Sequence, residues 1–272
     1  MGTVIVEKPK DHVSVITLNR PERLNAMSAE LITDACEVFK QVGADNDTWV
    51  TILTGAGRAF CSGLDLEDHG LVPGIDGLTL PRLAMRSVEH FSQVVPALRA
   101  MPQPVIAAIN GAAYGGGFCL SLGADIRIAE ESVVINATGI VNGLTSTELG
   151  TSYLLPRLIG ASQAFDIMLT GRRVDAAEAK EMGLVSRVVP DGEGLNTALD
   201  MAEKMCKLSP YGLAMTKQTL WANLEVSGLQ AAIDLENRNQ LLLGFTNNLP
   251  ECISARKEKR QPVYEDIPRV YD

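Results

Sequence analysis

Short apolar runs recur along the first 190 residues and are typical of β-strands. TVIVEK (3–8) and HVSVITLN (12–19) are rich in Val and Ile, and WVTILTG (49–55) is a short apolar run that ends in a glycine turn. Four further runs predict strands: PVIAAIN (104–110), DIRIA (125–129), SVVIN (132–136) and LVSRVVP (184–190).

Other segments carry the helical period. In residues 28–45, apolar side chains recur every three or four positions, Ser28 is a plausible N-cap and Glu30 lies in the first turn. We predict a second, long helix over about 82–101, ended by the prolines of MPQPV, and two helices that end in glycine, SQAFDIMLTG (162–171) and AAEAKEMG (176–183). Residues 67–80, with three glycines and one proline, are predicted to be a mobile loop.

The order of these elements predicts an α/β core followed by a helical tail. Residues 195–243 show long amphipathic helices, and their apolar faces are more than one helix layer would bury. We expect an oligomer interface there, with packing inside the chain as the alternative.

Composition narrows the class of protein. The 272 residues are 46% apolar and 21% charged, which suits a folded domain, and the net charge of −9 disfavours a nucleic-acid surface. No apolar run is long enough to span a membrane, and the start lacks a secretory signal. The five cysteines are dispersed, without metal-ligand spacing. These features predict a cytoplasmic protein without a bound metal, nucleic acid or membrane.

The stretch INGAAYGGGFCLSLGADI (109–126) places three glycines between a strand and a helix. Free N–H groups at such a point attract a phosphate or an oxyanion, and glycine lets the oxygen approach closely. The spacing matches neither a Walker loop nor G-x-G-x-x-G, and tight helix packing is the alternative. A second bare loop, GAGRAFCSGLDL (55–66), also follows a strand, so two N–H groups could serve one oxygen.

These segments resemble the crotonase superfamily, also called the enoyl-CoA hydratase/isomerase family. The matching residues include LNRPERLNAMS (18–28), GAGRAFCSGLDL, PVIAAINGAAYGGG (104–117), ADIRIA (124–129), LPRLIG (155–160) and MLTGRRVDAAEAKEMGLVSRVV (168–189). The resemblance implies an α/β fold, a ββα spiral over residues 1–195 with the CoA and oxyanion-hole loops. It also implies a C-terminal helical region, 196–272, that makes trimers or hexamers.

The resemblance also implies an acyl-CoA substrate and no permanently bound cofactor, with coenzyme A entering as part of the thioester. The oxyanion-hole donors would be the N–H groups of Leu64 and Gly116. CoA would pack near the loop that holds Ser62, Asp65 and Leu66. Arg23 is a candidate for a CoA phosphate, with a solvated loop arginine as the alternative.

The chain departs from the family at both hydratase glutamates, because the matching positions hold Cys119 and Gly139. Neither replaces a carboxylate pair, and Cys119 is predicted to be a core residue. Glu148 remains nearby; dienoyl-CoA isomerases and 4-chlorobenzoyl-CoA dehalogenase carry a functional Asp at the matching position. Its alternative role is a carboxylate at a helix N-terminus. Asp125 is predicted to be structural.

The sequence therefore favours an enzyme that stabilises a thioester enolate, closer to an isomerase than to a hydratase, with weak hydratase activity. One alternative is a CoA-thioester-binding protein that has lost its chemistry. Another is a hydrolase with Ser and His, although His12, His69 and His90 show no evident Ser partner. The net negative charge disfavours RNA binding.

Overall fold

Two β-sheets form the centre of the computed structural model, which describes residues 2–265. The first sheet has the strand order β1-β2-β3-β5-β7-β10 and the second the order β4-β6-β8-β9. The strands are β1 (Val4–Lys10), β2 (Val13–Leu18), β3 (Val50–Gly55), β4 (Ala59–Cys61), β5 (Val105–Ile109), β6 (Ala112–Tyr114), β7 (Ile126–Glu130), β8 (Val134–Asn136), β9 (Arg173–Asp175) and β10 (Arg187–Val189). All seven predicted strands are confirmed, whereas β4, β6 and β9 were not predicted.

The chain alternates between the two sheets as it advances. β3, β5 and β7 lie in the six-stranded sheet, and the strand that follows each one lies in the four-stranded sheet. Neighbouring strands are parallel except for the β1–β2 and β8–β9 pairs. Helix follows each of the consecutive pairs β1–β2, β3–β4, β5–β6 and β7–β8, so the α/β spiral that the resemblance implied is confirmed.

Eleven α-helices occur in residues 2–265. They are α1 (Ala29–Gly43), α2 (Leu80–Ser92), α3 (Val94–Arg99), α4 (Gly116–Leu122), α5 (Thr151–Ile159), α6 (Ala161–Thr170), α7 (Ala176–Glu181), α8 (Gly194–Met205), α9 (Pro210–Asn223), α10 (Leu229–Leu243) and α11 (Asn248–Glu258). The predicted cap of α1 is confirmed, since the Leu31 N–H donates to Ser28 Oγ at 3.2 Å.

The single long helix predicted over about 82–101 is wrong, because the structure divides it into α2 and α3 at Gln93. Pro96 explains the break. Its ring has no N–H to donate to the Ser92 carbonyl four residues earlier and collides with that carbonyl in a continuous helix. The predicted loop before it carries neither helix nor strand from residue 67 to residue 79.

The core occupies both faces of the six-stranded sheet. The larger cluster includes the fully buried rings of Phe39, Phe60 and Phe118. Burying each such side chain contributes about 1.5–3 kcal/mol. On the opposite face, α8 covers the sheet with Ala198 and Ala202. These small residues let the helix lie close to the strands.

A buried ion pair attaches the helical tail to the sheet. Lys217 on α9 is 7% exposed, and its Nζ lies 3.0 Å from Asp125 Oδ2. The other Asp125 oxygen accepts from Trp221 Nε1 at 2.5 Å, and the Val105 N–H donates to Asp125 Oδ2. The structural role predicted for Asp125 is therefore confirmed.

The tail exposes large apolar side chains along its helices. They include Leu220, Leu224, Leu229, Leu241, Phe245 and Leu249, each at least 46% exposed. The predicted oligomerisation region, 196–272, includes residues 266–272, which lie outside the described residues. No helix within 2–265 combines the length and the apolarity needed to cross a membrane.

Candidate active site

Two glycine loops meet at one edge of the four-stranded sheet. Strand β4 lies parallel to β6, so the chain leaves both strands at the same edge. Gly63 follows β4, and the three glycines 115–117 follow β6. A Cβ atom placed on Gly63 would be 3.4 Å from the Gly116 nitrogen, and one placed on Gly115 would be 3.9 Å from the Gly63 Cα. The two glycine loops, which were predicted to serve one oxygen together, are therefore in contact.

The bare backbone of the triple glycine is required by its surroundings. Gly115 has a φ of +47°, which L side chains rarely adopt, and a Cβ there would lie 2.6 Å from Thr138 Oγ1. A Cβ on Gly117 would overlap the carbonyl oxygen of Cys61 at the end of β4. Close packing thus accounts for two of the glycines, and it leaves the N–H of Gly116 at the junction of the loops.

Two backbone N–H groups remain free at this junction. The Gly115 N–H donates to the Asn136 carbonyl, whereas the N–H groups of Gly116 and Leu64 have no acceptor within residues 2–265. Leu64 follows Gly63 directly, so both free donors lie where the loops meet. An oxygen atom that entered this junction could accept from both.

Glu148 lies beside the same loop. Its Oε1 would be 3.5 Å from a Cβ on Gly115, and the side chain is half-buried. Burial raises the pKa of this carboxyl group above its usual range. A carboxylate that capped α5 would have a lowered pKa and would accept an N–H. Within residues 2–265 the Thr151 N–H donates to the backbone carbonyl of Glu148, and no N–H donates to its carboxylate. The geometry therefore suits a proton acceptor better than a helix cap.

The two positions at which the family resemblance expected glutamates are closed. Cys119 is 2% exposed, and its Sγ shares a hydrogen bond with Thr151 Oγ1, which confirms it as a core residue. Burial raises the pKa of this thiol to about 12, so it is neutral at physiological pH. A Cβ on Gly139 would overlap the carbonyl oxygen of Thr145, so a side chain at that position has no room.

The residues predicted to bind CoA fall into two groups. Asp65 is buried and pairs with Arg23, whose Nη2 lies 2.6 Å from Asp65 Oδ1, and Arg23 Nη1 also pairs with Glu67. Arg23 is therefore an ion-paired residue, not a freely solvated one. Leu66, by contrast, is 72% exposed, and Ser62 is partly exposed. The sequence predicted that Arg23, Ser62, Asp65 and Leu66 lie near CoA. It gave no sign of the ion pairs that Arg23 makes with Asp65 and Glu67.

The three histidines have partners that do not fit a serine hydrolase. His12 stacks on Trp49 with ring centroids 3.8 Å apart, and His90 Nε2 bonds to the Ala29 carbonyl. His69 bonds to the carbonyl of Gly70. No hydrogen bond joins any of them to a serine hydroxyl in the described part of the chain. Nor do residues 2–265 bring three or more metal-ligating side chains together.

Comparisons with known proteins identify a family for this chain. Residues 8–267 match the family model described as enoyl-CoA hydratase/isomerase. The chain belongs to the enoyl-CoA hydratase/isomerase family. It is 49% identical to a probable enoyl-CoA hydratase, echA12, of Mycobacterium bovis, over 98% of this chain and 94% of that protein.

Solved structures of this family match both core and tail. A probable enoyl-CoA hydratase/isomerase from Mycobacterium abscessus has a TM-score of 0.93 and 44% identity, and the match covers 98% of this chain and all of that one. A monofunctional enoyl CoA isomerase from M. smegmatis has a TM-score of 0.73, also at 44% identity, with 86% and 99% covered. Members of the enoyl-CoA hydratase/isomerase family act on CoA thioesters without a permanent cofactor. Its relatives thus include proteins named for hydration and proteins named for isomerisation.

Proposed function

We propose that this chain is an acyl-CoA enzyme that stabilises a thioester enolate and shifts a double bond, in preference to adding water. The observation that carries the proposal is the junction of Leu64, Gly116 and Glu148: two free N–H donors beside one half-buried carboxylate of raised pKa. Proton transfer next to a thioester carbonyl requires N–H donors and a base that lie close together.

In the proposed reaction, the Glu148 carboxylate accepts a proton from the α- or γ-carbon of an enoyl thioester. The electron pair of that C–H bond moves into the conjugated system, and the negative charge develops on the thioester oxygen. The N–H groups of Leu64 and Gly116 donate to that oxygen. Glu148 then returns the proton to the other carbon, so the double bond moves and no proton is gained or lost. Each oxyanion donor is worth about 10²–10³-fold in rate, and the base about 10²–10⁴-fold.

Hydration makes a further demand that the site does not meet. A water molecule must be activated and oriented while a proton is delivered to the α-carbon, and family hydratases use two glutamates for this. We take Cys119 and Gly139 to stand in those places, and neither side chain carries a carboxylate. This is why we place the chain closer to the isomerases.

The exposure of three side chains supports the proposed CoA contacts. Leu66 and Ser62 are accessible to an adenine or ribose, and Arg23 is accessible enough for a phosphate to compete with Glu67. The acyl chain would lie against the loop 67–79 and helix α2, where Leu71, Met85 and Val88 are exposed. We further expect the exposed apolar side chains of the tail to pack in a trimer or hexamer, and the protein to be cytoplasmic.

Incubation with 2-enoyl- and 3-enoyl-CoA thioesters in D₂O tests the proposed function. We expect the double bond to move between the two positions, and deuterium to enter the α- or γ-carbon, as measured by absorbance and by mass spectrometry. The competing function is a thioester-binding protein without chemistry. Saturable binding of these thioesters, with neither isomerisation nor deuterium uptake, would establish that alternative.

A further inference from the structure

A buried carboxylate lies immediately after one of the proposed oxyanion donors. The side chain of Asp65 is 1% exposed, and it pairs with both Arg20 and Arg23. Its Oδ1 also accepts from the N–H groups of Glu67 and Asp68, at 3.2 and 3.0 Å. The Arg23 guanidinium, first among these partners, holds the pKa of Asp65 well below its usual range. An ion with this many partners is costly to disturb, because an unpaired buried charge destabilises the fold.

The direction of the Leu64 N–H is set by the peptide that precedes it. The Met27 N–H donates to the Gly63 carbonyl at 2.7 Å. A trans peptide is planar, with its N–H pointing opposite to its carbonyl, so the Leu64 N–H must point away from Met27. That direction leads toward Gly116, whose nitrogen lies 3.4 Å from the position of a Cβ on Gly63.

Asp65 fixes this peptide from its C-terminal end. Its own N–H donates to the Met27 carbonyl at 3.0 Å, so the backbone from 63 to 65 pairs with Met27 like a strand. Its side chain binds Arg20, which also donates to the Ala26 carbonyl, next to Met27. Asp65 therefore joins the donor loop to the segment against which the donor is oriented.

We propose that Asp65 is a positioning residue: its ion pairs with Arg20 and Arg23 hold the Gly63–Leu64 peptide so that the Leu64 N–H points at the thioester oxygen. This inference rests on the proposed function, because it assigns the donor its direction. It also gives Asp65 a different task from the CoA contact that the family resemblance suggested, since a side chain 1% exposed does not reach a ligand.

Asp65→Asn tests the inference with little change in size. Asn retains one acceptor oxygen, but its NH₂ group faces an arginine N–H and the charge is lost. The control is Asp166→Asn, the same substitution at an exposed carboxylate that pairs with Arg172. The probe is butyryl-CoA labelled with ¹³C at the thioester carbonyl, whose stretching frequency falls when the oxygen accepts hydrogen bonds. This readout senses the donor and not general stability.

We expect wild type and Asp166→Asn to show the same downward shift of the bound carbonyl frequency. Asp65→Asn should show a smaller shift, roughly between half and the whole of it, because one of the two donors is misdirected but not removed. Turnover in the double-bond shift should fall about 10–100-fold in Asp65→Asn, less than for removal of a donor, with KM and the Kd of CoA within about threefold. An unchanged carbonyl shift in folded Asp65→Asn would overturn the inference.

Failure of the proposed function and failure of the role of Asp65 give different results. If wild type itself shows no carbonyl shift, the oxyanion hole fails and the proposed function fails with it; a wild-type shift that Asp65→Asn retains removes only the role of Asp65. If Asp65→Asn does not fold, Arg20→Lys replaces it. Lysine keeps the charge but cannot reach Asp65 and the Ala26 carbonyl together, so the same reduced carbonyl shift is expected. A full shift in that folded variant would equally overturn the inference.

Discussion

The carboxylate of Glu148 lies against Gly115, with its Oε1 3.5 Å from the point that a Cβ on Gly115 would occupy. No hydrogen bond to this carboxylate occurs within residues 2–265, and burial raises its pKa. A carboxylate that is poorly solvated and unpaired is a stronger base than an exposed one. The position of the Glu148 carboxylate beside the glycine loop therefore supports the proposed proton transfer.

Glu148→Gln is expected to abolish most proton exchange. The amide keeps the size of the side chain but does not accept a proton, so deuterium incorporation at the α- or γ-carbon should fall at least ~10²-fold. Thioester binding should persist, because Glu148 is not among the oxyanion donors. The measurement is mass spectrometry of the thioester after incubation in D₂O, with Glu178→Gln, a surface carboxylate paired to Arg172, as the control. Deuterium uptake at the wild-type rate would remove Glu148 from the mechanism.

The pH dependence of turnover should carry the same signature. Glu148 acts only when ionised, so the rate falls as the pH falls through its pKa. Because burial raises that pKa, the acid limb of the rate profile should lie above the value of an exposed glutamate, about 4.3. An acid limb at or below that value would contradict the raised pKa.

Stability should change with pH in the matching direction. A glutamate whose pKa is raised in the folded state stabilises the fold when protonated, and this contribution is lost as the pH rises through the folded pKa. Glu148→Gln should therefore be at least as stable as wild type at neutral pH, and its advantage should shrink as the solution is acidified. Thermal unfolding of both proteins across this pH range measures the effect.

The Gly116 N–H can be removed with a matched control. Both Gly116→Pro and Gly116→Ala add a Cβ that would lie 2.7 Å from Met27 Sδ, but only the proline loses the N–H. The two variants therefore share the added Cβ and differ in the N–H and in the proline ring that replaces it. We expect turnover of Gly116→Pro to be about 10²–10³-fold below that of Gly116→Ala, measured by the absorbance change of the enoyl thioester. Equal turnover in two folded variants would show that Gly116 is not a donor.

Strands β1, β2, β3, β5 and β7 could be predicted because they are five to seven residues long, and the shorter β8 and β10 because they lie within the apolar runs SVVIN and LVSRVVP. β4, β6 and β9 could not, since each has three residues and no longer apolar run around it. This omission bears on the site, because β4 and β6 are the strands that bring Gly63 and Gly116 together. The pairing of the two loops was therefore inferred from their glycines, from the predicted strands β3 and β5 that precede them, and from the family resemblance.

Side-chain partners were harder to predict than the loops. Asp65 follows Leu64 in a glycine-rich loop, where a carboxylate is expected to face solvent or ligand. Its burial depends on Arg20 and Arg23, which are more than 40 residues away in sequence. Local pattern carries no information about such a pair. The break between α2 and α3 is a different case, because Pro96 was visible in the sequence and its effect on Ser92 could have been foreseen.

The attachment of the tail to the sheet gives a prediction about stability. Lys217→Met removes the amine that pairs with Asp125 and donates to the Gln103 carbonyl, and so leaves a carboxylate short of a partner. The free energy of unfolding should fall by about 3 kcal/mol, as for other broken buried pairs. Lys10→Met, which removes an exposed ion pair with Glu203, should leave it unchanged. Urea unfolding measures both, and equal stability of the two variants would contradict the assignment.

Hydration of crotonyl-CoA by this protein should be slow. With Cys119 and Gly139 in the expected places of the two glutamates, crotonyl-CoA hydration should be on the order of 10⁴-fold slower than in a two-glutamate relative, if each carboxylate contributes ~10². The loss of crotonyl-CoA absorbance at matched enzyme concentrations measures it. A rate within tenfold of the relative would show that the missing pair does not matter.

Restoring the two carboxylates is not expected to restore hydration in this backbone. A Cβ on Gly139 would overlap the Thr145 carbonyl oxygen, so Gly139→Glu must displace the loop before its carboxylate can act. Cys119→Glu would put a second carboxylate in a site that is 2% exposed, close to Glu148. Two like charges there raise each other's pKa. Gly139→Ala, which adds the same Cβ without charge, should destabilise the fold as Gly139→Glu does. If Cys119→Glu with Gly139→Glu folds like wild type and hydrates crotonyl-CoA faster, the loop is more adaptable than its contacts indicate.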